Sequence, residues 1–329
     1  MNSLEMGKLT EAEEACYSAV REAELRDPEG RHLATSLQAM ACISSYRGRN
    51  LRAQRLYYRS WEILRATCGD YSVDALAAMV QTAGACLLQH KYDDAEPLFT
   101  EALALLERSR ESELTSMVRC LHGLGDIHLA AKRRVAALVC YQRALKIQEK
   151  AQGANAPAVI NTLHKLGDLF LSDARYQEAE PHYWRANKIA VAAAGPDSAP
   201  AARTLQKVAE LYRLQNQFHQ AEELLKRALP MFEVAPGPEH PEYARHLRAM
   251  SLLYWDQARY KDAAEILERA IGILEKALGS DHPEVADTLE LRARALEVCH
   301  QPKLAHELRD QAAQIRMKVQ EEDSAALVM

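Results

Sequence analysis

The chain has 329 residues, and its 41 Lys and Arg against 46 Asp and Glu leave a formal charge of −5, which argues against a general nucleic-acid binder with a strongly basic face. At 48% hydrophobic and 26% charged it is too apolar to be disordered, and length alone suggests about two domains. Only 6% aromatics, 13 glycines and 12 prolines in a chain full of Ala, Leu, Glu, Arg and Gln point to helix throughout.

No apolar run approaches the roughly 18 to 20 residues needed to span a bilayer. The N-terminal stretch MNSLEMGKLTEAEEA is charged where a signal peptide needs an apolar core. Seven cysteines, an odd number with no CxxC pair, read as reduced thiols of a cytoplasmic protein.

One period organises the chain. The pattern aromatic-x-x-Ala-Glu followed by Arg-Ala-Leu recurs as YDDAEPLFTEAL, YQEAEPHYWRAN, FHQAEELLKRAL and YKDAAEILERAI. Its alanines are Ala12, Ala53, Ala95, Ala137, Ala179, Ala221, Ala263 and Ala305, spaced by 41 and then by 42 throughout. A second small residue follows seven later, from Ala19 and Ser60 to Ala312. A third precedes by twelve: Ala41, Ala83, Gly125, Gly167, Ala209, Ser251 and Ala293. Between them, apolar residues keep helical spacing, as in Leu98, Phe99, Ala102, Leu103 and Leu106. Each small side chain admits the backbone of a neighbouring helix, and a larger one would overpack the contact.

In chain order the period predicts an unpartnered second helix over 8–26, within a half repeat 1–29 that reads either as an N-terminal cap or as a start that cuts into a longer protein. Seven hairpins follow at 30–67, 71–109, 113–152, 156–193, 198–235, 241–279 and 283–321, with a short tail at 322–329. The first helices are expected near 30–47, 71–89, 113–131, 156–173, 198–215, 241–257 and 283–299. Their partners are expected near 50–67, 92–109, 134–152, 176–193, 218–235, 260–279 and 302–321. Pro157, Pro241 and Pro283 should start first helices, and Pro97 and Pro181 should fall in about the first turn of second helices. The polar last helix, with Lys303, His306, Glu307, Arg309, Asp310, Arg316 and Lys318, suits a terminal repeat facing water.

This pattern resembles the tetratricopeptide repeat, and the 42-residue period with linkers such as LGSDHPEVADTL (278–289) looks like the kinesin light chain type. DAEPLFTEALALLE (94–107) and EAEPHYWRANKI (178–189) are especially close to it. The resemblance implies an all-α fold, a right-handed α-solenoid of tetratricopeptide helical hairpins, whose first helices line a concave groove. Groove positions in that family lie six and three before the small residue, and one and four after it. Here they form a ladder whose middle and C-terminal rungs are the candidate partner-binding residues: Arg119, His122 and Asp126; Asn161, His164 and Asp168; Arg203, Gln206, Glu210 and Arg213; Arg245, Arg248 and Trp255.

Arg203, Arg213, Arg245 and Arg248 offer bidentate hydrogen bonds to the carboxylates of an acidic segment, beside Trp255 as an apolar anchor. The same arginines also read as solvated faces neutralised by Asp and Glu one turn away. The Asn-Asn pair common in the family just before the small residue is replaced by His-Lys, Gln-Lys and Arg-Ala, so its manner of clamping a peptide backbone does not carry over. A chemical alternative is metal. His122 and Asp126 sit one turn apart, and His164 and Asp168 repeat the arrangement one period on. HGLGD (122–126) falls inside a helix by the period, so it is not a phosphate loop, and no GxSxG, HExxH or Walker pattern occurs.

The sequence is therefore read as a non-catalytic scaffold without a cofactor. It would hold a protein or peptide segment in its groove and would neither bind nucleic acid nor insert in a membrane. A sensor or regulatory repeat domain of a larger signalling protein, and a metal-binding protein using the His/Asp ladder, are the alternatives.

Overall fold

The structure, a computed structural model, describes residues 9–109 and 113–325. Among them are fifteen α-helices and no strand: α1 (Leu9–Arg26), α2 (Arg31–Tyr46), α3 (Asn50–Cys68), α4 (Val73–Leu88), α5 (Tyr92–Arg108), α6 (Leu114–Ala130), α7 (Arg134–Gln152), α8 (Val159–Ser172), α9 (Tyr176–Ala194), α10 (Ala199–Leu214), α11 (Phe218–Val234), α12 (Pro241–Asp256), α13 (Tyr260–Leu278), α14 (Pro283–Val298) and α15 (Pro302–Ala325). The chain divides into two compact units, one ending at Ala156 and one spanning Pro157–Glu321. Each is a stack of helical hairpins, as an α-solenoid requires, and every helix starts and ends within a few residues of its place in the period.

The alanines of the register make each stack close. Ala95, Ala102, Ala137, Ala144, Ala179, Ala186, Ala221, Ala228, Ala270 and Ala312 are fully buried, as is Ser60, whose hydroxyl donates to the carbonyl of Ala34 at 2.9 Å. The third small residue faces a side chain sixteen positions on. A Cβ on Gly125 would lie 2.3 Å from the Tyr141 ring, and one on Gly167 would lie 2.4 Å from that of Tyr183. Glycine is required there because a tyrosine occupies the space of a methyl group. The hydroxyl of Tyr141 then donates to Asp126 and that of Tyr183 to Asp168, each at 2.6 Å, so Gly-Asp on one helix and Tyr on the next form one device used twice.

Turns carry the period too. The residue after each first helix's cap is left-handed at His90, Lys132, Ala174, Asn216, Ala258 and His300, with φ between 55° and 60° and the six spaced by 42. This ends the helix with a backbone bond from the following N–H, such as Arg175 N to Phe170 O at 2.9 Å. Between hairpins, the Gly-Ser-Asp-His-Pro-Glu linker is explained letter by letter. Gly279 takes φ 97°, the Nδ1 of His282 accepts from Glu284 N at 3.1 Å as the cap, and Pro283 opens α14. His240, Pro241 and Glu242 repeat this at α12.

Two proline expectations need correction. Pro157 does not start a first helix: α8 begins at Val159, after a turn in which Ile160 N bonds Pro157 O at 3.1 Å. Pro97 and Pro181 lie six residues into α5 and α9, in the second turn. Each therefore removes a helical bond to Asp93 or Gln177, and both of these residues are exposed to water.

At the ends, Val20 of α1 is buried and Glu13 pairs with Arg47 at 2.8 Å and Arg49 at 3.1 Å. Helix α15 buries Ala305, Leu308, Ala312 and Ile315 and ties its polar side to α14 through Arg309–Glu297 at 3.0 Å and Arg316–Asp287 at 3.2 Å.

The core of the second unit encloses an imidazole. His246 on α12 has no solvent exposure, lies 4.9 Å from the Phe232 ring, and burial pushes its pKa down to about 4. The unfolded chain takes up a proton as pH falls through about 6.5, whereas the folded ring takes one only near 4. The stability that the neutral ring contributes is whole above the first value and is lost across that window, roughly 3 kcal/mol at the full shift. An NMR titration should find His246 still neutral at pH 5, with urea-unfolding stability falling from pH 6.5 downward; a ring titrating near 6.5 would contradict this.

The glycine–tyrosine contact gives a second prediction. Gly167→Ala should destabilise by about 1 to 3 kcal/mol despite alanine's better helix propensity. In a Tyr183→Leu background, which copies the Ala209 and Leu225 pairing one repeat later, most of that cost should disappear in a double-mutant cycle read by thermal unfolding.

Candidate functional site

The predicted groove residues fall on first helices in both units. In the first unit, Arg119, His122 and Asp126 lie on α6. Arg119 is exposed, but His122 is only 8% exposed with its ring edge-on to Tyr141 at 6.3 Å, and Asp126 holds the Tyr141 hydroxyl. His128, two residues on, is half-buried beside Glu96, and burial lowers its pKa. These contacts make His122 and Asp126 packing residues of the α6–α7 hairpin.

In the second unit, Asn161, His164 and Arg203 line a cavity of about 540 Å³ walled by Pro157, Ile160 and Pro200 and by alanines of α9. His164 is neutral, with burial bringing its pKa down to about 4, and its Nε2 lies 3.2 Å from the Thr204 hydroxyl. Asp168 points elsewhere: it accepts from Tyr183 and from Lys207 Nζ at 2.9 and 3.0 Å. Among the described residues no group of three or more His, Cys, Asp or Glu side chains is arranged to hold a metal ion.

Three of the four groove arginines are engaged across the stack rather than with residues one turn away. Arg203 reaches Glu242 at 2.8 Å, and Arg245 forks onto Glu284 with Nε at 2.9 Å and Nη2 at 2.6 Å. Arg213 pairs with Asp256. The two glutamates are those of the His-Pro-Glu starts, so helix initiation and inter-repeat pairing share one residue. Burial alone would raise the Glu284 carboxyl, yet Arg245, with Arg248 behind it, holds it below its ordinary value. Arg248 itself makes no ion pair among the described residues.

Arg248 lines a cavity of about 210 Å³ with Gln206, Glu210, Arg213, Arg245 and Leu252. A second cavity of about 150 Å³ adjoins it, lined by Leu252, Trp255, Leu267, Leu291 and Arg294. Leu252 and Leu291 belong to both, so a charged hollow continues into an apolar one across α10, α12 and α14. Trp255 is half-buried, its ring 5.0 Å from that of Tyr260. The four-position ladder misses Ala249 and Leu291, which occupy the place two before the small residue. A signal existed: that place holds Gln81, Gly123, Lys165, Lys207, Ala249 and Leu291 in turn, a mixture expected of a half-exposed site rather than a core one.

Comparison with known proteins agrees with this architecture. Residues 41–108, 116–190, 174–233 and 200–276 match the tetratricopeptide repeat family. No curated protein matches the chain. Among solved structures, BtubC from P. vanneervenii is similar with a TM-score of 0.51 at 17% identity, over 80% of this chain and 90% of that one. Kinesin light chain-type repeats from Podosopora anserina give 0.50 at 22% identity, over 62% and 96%. The Rap conjugation gene regulator of plasmid pLS20, solved in complex with a Phr peptide, gives 0.61 at 12% identity, over 88% and 76%. At these identities the likeness is one of fold. Repeats of this kind generally serve as non-catalytic protein-interaction scaffolds, and no described helix is long and apolar enough to cross a membrane. With the family's pattern matched over more than half its length, the chain belongs to the tetratricopeptide repeat family.

Proposed function

We propose that the protein is a non-catalytic scaffold of the cytoplasm that holds a segment of a partner protein on the first-helix face of α10, α12 and α14. The observation that carries this reading is the pair of adjoining cavities sharing Leu252 and Leu291, one edged by Arg248 and the other floored by Trp255, Leu267 and Leu291. An isolated charge pair would give little affinity; a cation beside an apolar hollow gives an anchor with a direction. Because Arg203, Arg213 and Arg245 already hold carboxylates of their own chain, the acidic character expected of the ligand narrows to one carboxylate, met by Arg248, next to a bulky apolar side chain. The peptide bound by the Rap regulator supports the use of this fold for peptide capture.

A synthetic peptide of about ten residues with adjacent Trp and Glu near its centre is a suitable probe for a groove of this kind. Fluorescence anisotropy should show binding that Arg248→Glu and Trp255→Ala each weaken about tenfold, or about 1.4 kcal/mol, while Lys261→Glu, at an exposed position of α13, changes nothing. Arg248 is the better target than Arg245, since a glutamate at 245 would face Glu284 and disturb the stack itself. Binding that survives Arg248→Glu in a folded protein would exclude this face as the site.

A further inference from the structure

One buried ring, that of His246, faces a groove amide, that of Gln206. The Nε2 of His246 lies 2.9 Å from the carbonyl oxygen of Leu225 on α11, and its Nδ1 lies 3.1 Å from the Oε1 position of Gln206 on α10. A carbonyl offers only lone pairs, so Nε2 carries the proton that reaches Leu225. The ring is fully buried and has no facing carboxylate, so it stays neutral and has no second proton to give. Its Nδ1 is therefore an acceptor and needs a donor. With Oε1 toward the ring two acceptors would meet, so the amide is turned by 180° about its terminal bond: its NH2 then faces Nδ1 and donates, with the heavy atoms in the same places. The carbonyl oxygen of Gln206 is then the half left for the 210 Å³ cavity that Gln206 lines.

The cavity is consequently two-sided in chemistry. On α10 it presents two acceptors, the Gln206 carbonyl and, one turn on, the Glu210 carboxylate, with Arg213 beyond them paired to Asp256; on α12 it presents the guanidinium groups of Arg245 and Arg248. A ligand carboxylate next to Gln206 would meet lone pairs, whereas an N–H there would meet an acceptor held in place by a buried ring. We propose that His246 locks Gln206 as an acceptor that reads a backbone N–H of the bound segment, setting the register in which the segment's carboxylate reaches Arg248. The ligand part of this inference rests on the groove reading above.

Nitrogen NMR of the full chain tests the lock without any ligand. At neutral pH the expected result is the Nε2–H tautomer of His246, with a coupling across the Gln206 Nε2–H to His246 Nδ1 hydrogen bond. An Nδ1–H tautomer, or an imidazolium, would overturn the proposal. The ligand part is tested with the Trp-Glu peptide, N-methylated at one backbone position at a time. One position should weaken binding about tenfold on the native protein and have no further effect on a folded Gln206→Met variant. If no position distinguishes the two proteins, Gln206 reads no donor and the inference fails. If the unmethylated peptide binds neither protein, the groove reading falls and takes the donor role with it, while the coupling still decides the orientation of the amide.

Discussion

Close approach between helices governs this protein. A hairpin two helices thick has no deep core of its own, so each repeat must bring its backbones together and lend one face to the next. The alanines repeated every 42 residues make that possible, and from Ala53 to Ala312 they are buried, whereas Ala12 and Ala19 on the terminal helix α1 are not. The rest adjusts around them. Where the facing residue is a tyrosine, the small residue shrinks to glycine, as at Gly125 and Gly167; where it is Leu225 or Leu267, the chain uses Ala209 or Ser251. The exchange conserves volume across a contact while letting the polar content of each repeat vary.

The polar content follows the same geometry. Because first helices of successive repeats run side by side within a unit, a residue near the start of one meets a residue further along its predecessor, and Arg203–Glu242 and Arg245–Glu284 are the same pairing one period apart. These pairs are half-exposed, and their individual contribution to stability is small. Their consequence for function is larger. By consuming arginines that would otherwise make a broad cationic strip, they leave Arg248 as the groove arginine outside an ion pair at the first cavity and give the face a position for negative charge instead of a general attraction to it.

The two histidine pairs show why spacing alone misleads about chemistry. His122 with Asp126, and His164 with Asp168, have the one-turn separation of metal ligands. Each aspartate instead takes a tyrosine hydroxyl, and His164 is kept neutral by burial. A side chain's partner is set by what the facing helix places within reach, and that helix lies fifteen or more residues away in sequence.

The sequence by itself determined the helices, their order, the register of small residues and the positions on the first-helix face, because each depends on local propensity and on a repeat that must fit its own copy. Even the linker letters carried their meaning, although the capping by His240 and His282 and the left-handed turns after each first helix emerge only from backbone angles. Tertiary structure alone decided which face residues are free. Arg203, Arg213, Arg245 and Arg248 read alike in one dimension, and of the four only Arg248 makes no ion-pair contact among the described residues, acting on Glu284 from behind Arg245. Leu291 and Trp255 become one apolar hollow because α14 packs alongside α12. The physical reason is that helix formation is local, whereas desolvation and ion pairing depend on contacts between residues about forty positions apart.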